Sequence, residues 1–80
     1  MKKVYKFSAT GCQPCKTLTQ HLAMKGYTLP EFDIDKPDNK ALMERFNIRS
    51  VPTVVIEEAD GSYLSFVGAM VTEELLKAVV

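Results

Sequence analysis

The chain has 80 residues, 46% of them hydrophobic and 25% charged, a composition that fits one soluble globular domain near the lower size limit for a self-sufficient core. Ten basic and ten acidic residues cancel, so there is no net field to draw the chain to nucleic acid or to an anionic membrane surface. Lys2-Lys3 leads into a segment interrupted by Lys6 and Ser8, not into the apolar run of a signal peptide or membrane span, and a cytoplasmic, monomeric protein is expected. Lys3–Ser8 predicts a first strand, with Val4, Tyr5 and Phe7 close together, and Thr10-Gly11 breaks it. A helix is predicted from about Pro14 to Lys25, because Cys15, Leu18 and Leu22 recur on one face. Pro14 suits its first turn, where an N–H is not needed, and Gly26 is its stop signal. Leu29–Asp35 predicts a second strand with Phe32 and Ile34 on one face; Pro30 must lie where no ladder bond is required.

Pro37-Asp38 opens a second predicted helix that runs to about Phe46, capped by Asp38, with Leu42 and Phe46 one turn apart. Thr53–Glu57 is a third strand, Asp60-Gly61 a turn, and Ser62–Val67 an antiparallel return with Leu64 and Phe66 on one face. Thr72 is expected to cap a last helix that buries Leu75, Leu76 and Val79 and places Glu73 and Glu74 at its positive end. The order is β-α-β-α-β-β-α over a single domain, 1–80: an α/β fold with a four-stranded mixed sheet flanked by three helices. A right-handed crossover makes the first two strands parallel.

The only two cysteines, Cys12 and Cys15, flank Gln13-Pro14 where the first strand gives way to the first helix. A disulfide between them closes too short a loop to act as a staple, so the pair is read as reactive. The thiolate is the form that attacks a disulfide, and the unpaired N–H groups and positive dipole end of a helix lower the pKa of a thiol placed there. Cys12 holds that position and is the expected nucleophile. Cys15, one turn further in and facing the core, is expected to resolve the mixed disulfide. Lys16 and Lys6 can add positive potential. A zinc site needs four ligands, and His21 alone is left to join the two thiols; it should emerge elsewhere on the helix, as a surface residue. A cluster bridged between two chains would need further ligands from a partner or from glutathione. No metal is therefore expected, and no cofactor beyond the redox-active disulfide.

Phe7-Ser8-Ala9-Thr10-Gly11-Cys12-Gln13-Pro14-Cys15-Lys16 resembles the active-site segment of the thioredoxin family, of the form F-x-A-x-W-C-G-P-C-K. Asn47-Ile48-Arg49-Ser50-Val51-Pro52-Thr53 is similar to the family's G-I-R-G-I-P-T segment, and Val67-Gly68-Ala69 to its V-G-A turn. The resemblance runs through nearly the whole chain and implies a minimal thioredoxin fold, of the kind also found in glutaredoxins. It implies a dithiol-disulfide oxidoreductase that reduces protein disulfides through Cys12 and Cys15, set in an active-site turn of Gly11, Gln13, Pro14 and Lys16. It further implies a cis Val51-Pro52 bond facing that turn. Substrate would then be held by Val51, Pro52 and Thr53, with Gly68 and Ala69 leaving room for it.

The chain also departs from the family's pattern. Gly11 stands where thioredoxins have tryptophan, and Gln13 stands in place of glycine. Lys6 falls where the family has a buried acid, and Glu31 where it has a lysine. The two reversals together predict a swapped Lys6–Glu31 ion pair beneath the active site, relaying a proton to or from Cys15 with Glu31 as the base. Three function classes follow: a thioredoxin-like reductase recharged by a flavoprotein thioredoxin reductase, a glutaredoxin recharged by glutathione, and a non-catalytic binding module. Pro14 and Thr53 favour the first. Ser50-Val51-Pro52 resembles the glutaredoxin T-V-P segment, but Val67–Val71 lacks the Gly-Gly-x-Asp-Asp type of segment that holds glutathione. The resemblance suggests ribonucleotide reductase or a similar enzyme as the target.

Overall fold

A computed structural model describes residues 2–79. Along the chain these form β1 (Lys3–Ser8), α1 (Gln13–Met24), β2 (Glu31–Asp33), a 3-10 turn (Pro37–Asn39), α2 (Lys40–Arg45), β3 (Thr53–Glu57), β4 (Tyr63–Val67) and α3 (Glu73–Val79). The strands make one mixed sheet in the order β2-β1-β3-β4. β1 runs parallel to β2 and antiparallel to β3, and β3 runs antiparallel to β4. This is the four-stranded, three-helix α/β arrangement of the thioredoxin fold.

Strand alternation decides which helix each residue meets. Val4 of β1 and Val54 and Ile56 of β3 pack with Leu18 and Leu22 of α1 and Leu75 of α3. Tyr5 and Phe7, one step out of phase, join Val55 and Phe46 on the opposite face, where Leu42 and Met43 of α2 cover them. β3 is buried at every position because both its faces are covered, which is why its sequence is an unbroken Thr-Val-Val-Ile run rather than an alternating one. The Phe46 ring lies 5.0 Å from that of Tyr5 and 5.0 Å from that of Tyr63, tying α2 across the sheet. Glu57 is buried among these rings with its charge paired to Arg45, and it accepts a 3.1 Å bond from the Tyr5 hydroxyl. Those partners offset the desolvation of its carboxylate.

The helix ends follow local chemistry. α1 closes in a left-handed turn: Gly26 has φ +86°, its N–H donates to the Ala23 carbonyl, and the Tyr27 N–H reaches the Leu22 carbonyl at 2.8 Å. At α3 the Thr72 hydroxyl accepts from the Leu75 N–H at 3.1 Å, satisfying one of the unpaired donors of the first turn. Thr72→Ala should cost about 1 kcal/mol, read as a lowered urea midpoint with an unchanged denaturant slope.

Three expectations are corrected. β2 is only Glu31–Asp33, shorter than Leu29–Asp35. Pro30 contributes a carbonyl to Lys6 N–H but has no N–H of its own, and Asp33 Oδ1 captures the Asp35 N–H at 2.8 Å and turns the chain away. Asp38 caps nothing: it lies inside the 3-10 turn, and α2 starts only at Lys40 with no side-chain cap. The approach to that helix is pinned instead by Asn39 Nδ2, which donates to the Asp33 carbonyl at 2.8 Å. Ser62 belongs to the hairpin turn, where its hydroxyl and N–H both donate to Asp60 Oδ1, at 2.6 and 3.0 Å. The hydroxyl bond first, and the N–H bond after it, hold the Asp60 carboxyl below its usual pKa. Leu64 and Phe66 share a face of β4 as expected, opposite Ile56 and Val54; Phe66 packs on the core, and Leu64 is 56% exposed on the outer strand. Among the described residues, no helix is long and apolar enough to cross a membrane.

Candidate active site

The end of β1 delivers the chain through Ala9-Thr10-Gly11 to the start of α1. Gly11 takes φ +77°, a left-handed conformation that glycine adopts without a Cβ penalty, and this bends the chain into the helix. Cys12 is the N-cap residue, with extended backbone, and its Sγ accepts from the Cys15 N–H at 3.2 Å. Pro14 occupies the first turn, so its missing N–H leaves no gap in the helix ladder. Cys12 and Cys15 are joined as a disulfide, with their Cα atoms 5.3 Å apart. When the pair is reduced, the same amide and the helix dipole favour a thiolate at Cys12, and no acidic residue in the first turn opposes it. Cys12 is half-buried and Cys15 only 3% exposed, so one sulfur meets the outside and the other faces the core. Gln13, Pro14 and Lys16 are exposed around them.

Two further segments arrive at this end of the sheet. Phe7, near the end of β1, pairs with Thr53 at the start of β3, and Thr53 pairs with Val67 at the end of β4. The CxxC turn, the Val51-Pro52-Thr53 segment and the Val67-Gly68-Ala69 turn are therefore gathered at one end of three neighbouring strands. The Val51-Pro52 bond is cis and Pro52 is buried. The Pro52 carbonyl accepts the Gly68 N–H at 2.9 Å, and Thr53 Oγ1 donates to the Ser50 carbonyl at 2.8 Å, which ties the segment on both sides. Gly68 has φ +107°, and a Cβ there would meet open space; backbone conformation, not crowding, is what calls for glycine. Ala69 and Val51 are half-buried. Among the described residues, no backbone hydrogen bond reaches the N–H or carbonyl of Val51.

The expected Lys6–Glu31 ion pair does not form. The two residues are opposite in the β1–β2 register, but Lys6 Nζ donates to Thr19 Oγ1 at 2.7 Å, and Glu31 Oε1 accepts from Ser8 Oγ at 2.7 Å. Two nearer partners separate them. Thr19 of α1 offers an acceptor above Lys6, and Ser8, two positions along β1 on the same face, reaches the carboxylate of the outer strand. Lys6 is thus buried and Glu31 exposed, and a relay running through their pair has no path. Glu31, Thr19, Lys16, Gly11 and Cys15 line one open depression of about 470 Å³ beside the disulfide.

Sequence reasoning singled out neither Thr19 nor Ser8 as a partner. The available signal was spacing: Thr19 lies one turn after Cys15 on the same side of α1, and Ser8 shares a strand face with Lys6. His21 is exposed, and among the described residues no three His, Cys, Asp or Glu side chains converge as metal ligands.

Comparison with known proteins agrees with this geometry. The thioredoxin family model matches residues 2–80. Thioredoxin f from spinach chloroplast, in its short form, is 25% identical with a TM-score of 0.75, over 98% of this chain and 72% of that one. The germline-specific thioredoxin Deadhead from Drosophila melanogaster is 33% identical with a TM-score of 0.66, over 98% of this chain and 76% of that one. A thioredoxin from Malassezia sympodialis is 26% identical with a TM-score of 0.71, over 98% of this chain and 72% of that one. A search of curated protein sequences gave no match. With a CxxC disulfide set at the head of a helix, the chain belongs to the thioredoxin family and is a thiol-disulfide oxidoreductase acting on protein disulfides.

Proposed function

We propose that this oxidoreductase is a monomeric, cytoplasmic electron carrier, recharged by a flavoprotein thioredoxin reductase, that reduces the disulfides of ribonucleotide reductase or a similar enzyme. The observation that carries the reading is the pairing of a half-buried Cys12 at a helix start with a Val51 backbone that, among the described residues, has no backbone hydrogen-bond partner at the same end of the sheet. An extended target segment can pair with Val51 as a short added strand while Gly68 and Ala69 leave space beside it. A folded protein disulfide offers such a segment; a free glutathione offers less of one.

In the first step the Cys12 thiolate attacks one sulfur of the target disulfide. A Cys12–target disulfide forms, the target bond breaks, and the released target sulfur leaves as a thiolate and takes a proton. In the second step Cys15 loses its proton and attacks the Cys12 sulfur. The Cys12–Cys15 bond forms, the mixed disulfide breaks, and the second target sulfur leaves reduced. Two electrons have then passed to the target, and the oxidised pair awaits the reductase.

A coupled NADPH assay separates the sources of electrons. Turnover of an insulin-type disulfide with thioredoxin reductase, and none with glutathione plus glutathione reductase, is the expected result. Turnover through glutathione alone would make the protein a glutaredoxin with a CQPC centre. Turnover through neither would leave the recharging step to a different reductase and overturn this assignment of partner.

A further inference from the structure

Lys6 is a buried cation to which the exchange steps above assign no task. It lies in β1 on the face covered by α1 and is 4% exposed. Among the described residues its ammonium has one protein acceptor, Thr19 Oγ1 at 2.7 Å, and no carboxylate within ion-pair distance. Thr19 Oγ1 in turn donates to the Cys15 carbonyl at 3.1 Å. Two hydrogen bonds therefore lead from the ammonium to the backbone of the buried cysteine. Holding an ammonium out of water against a neutral hydroxyl is unfavourable unless an anion balances it. Among the buried groups in this part of the molecule, the one that becomes anionic during turnover is the Cys15 thiol.

We propose that Lys6 is a positioning residue for the resolving step: tethered by Thr19 behind α1, its ammonium stabilises the Cys15 thiolate as that anion forms in the mixed disulfide. An ammonium cannot take the proton. The Cys15 proton leaves to water in the depression that Cys15, Thr19 and Glu31 line, and the electron pair left on sulfur attacks Cys12. The surrounding charges are few. α1 carries Lys16, exposed and screened by solvent, with Cys12 as its N-cap; β2 carries Glu31, exposed and held by Ser8, whose charge works against a thiolate. β3 presents Val54 opposite Lys6, and α3 packs Leu75 on this face, neither of which titrates. In so sparse a setting a buried positive charge acts with little screening.

The proposal rests on dithiol exchange at Cys12 and Cys15, yet its first test, the ionisation of Cys15, needs no target protein, so its failure is distinct from a wrong choice of partner. In the full chain carrying Cys12→Ser, Cys15 is the sole thiol, and its ionisation can be followed by thiolate absorbance against pH. Adding Lys6→Met should raise the midpoint by about one pH unit. Lys6→Arg, which keeps the charge, should restore it, and Thr19→Val, which cuts the tether, should raise it by a smaller amount. With both cysteines present, Lys6→Met should slow release of target from the mixed disulfide about tenfold below the midpoint and move its pH profile upward. An unchanged midpoint in a folded Lys6→Met protein overturns the proposal, as does a Lys6→Arg protein that behaves like Lys6→Met. A release rate sensitive to Glu31→Gln and not to Lys6→Met overturns it too. If Lys6→Met does not fold, Lys6→Arg and Thr19→Val decide: an unchanged midpoint in Thr19→Val overturns the role.

Discussion

Cys12→Ser should reduce disulfide turnover to the uncatalysed rate, while Cys15→Ser should keep the first step and accumulate covalent complexes with target. The asymmetry follows from where the two sulfurs sit. Cys12 occupies the N-cap, half-buried, with its sulfur already accepting a hydrogen bond from the Cys15 amide. A serine hydroxyl there is neutral at neutral pH and does not attack sulfur. Cys15 is 3% exposed, so no target disulfide reaches it directly. Without its sulfur the mixed disulfide at Cys12 has no neighbour to displace it and persists until an external thiol arrives. Non-reducing electrophoresis and intact mass should show the adduct in Cys15→Ser and none in Cys12→Ser. A Cys15→Ser protein with full turnover in glutathione would instead establish one-thiol chemistry.

Phe7→Ala should be the most damaging single truncation outside the disulfide. Phe7 is 0% exposed and its ring stands within 6.4 Å of those of Tyr5, Phe32 and Phe46. Removing such a side chain costs about 3–5 kcal/mol, the lost transfer free energy plus the cavity left behind. A domain of this size holds only roughly 5–10 kcal/mol in total, so the variant should be partly unfolded near 37 °C. Urea unfolding measures the loss. Leu64→Ala is the contrast: Leu64 is 56% exposed on the outer strand, and its removal should change stability by less than about 0.5 kcal/mol. Equal effects at the two positions would contradict the division of the sheet into a covered interior and an open edge.

The elements that carry chemistry were legible because their signals are local. Cys12 and Cys15 with Pro14 between them mark a helix start. Gly26 marks that helix's end and Thr72 the beginning of another, and each does so through a bond to a backbone a few residues away. What the sequence left hidden depends on competition between partners brought together by folding. Lys6 and Glu31 were rightly placed opposite each other in register. Register does not decide hydrogen bonding, however, and Thr19 and Ser8 took the two side chains. Asp38 is a good capping residue by type, but Asp33 and Asn39 had already fixed the chain's path into α2. Leu64 alternates correctly with Phe66, yet alternation says nothing of how far along the edge the helices extend.

The inward placement of Cys15 also governs the kinetics of the whole cycle. Because Cys12 is half-buried and Cys15 only 3% exposed, the thiol that regenerates the pair and the disulfide that oxidises it are expected to meet the same atom, the Cys12 sulfur. Donor and acceptor then compete for reaction at one sulfur. Electrons are stored between visits in the protein's own two thiols, and the rate law is of the ping-pong type. Parallel double-reciprocal plots, and inhibition of the donor half-reaction by excess acceptor, are the steady-state expression of one buried sulfur.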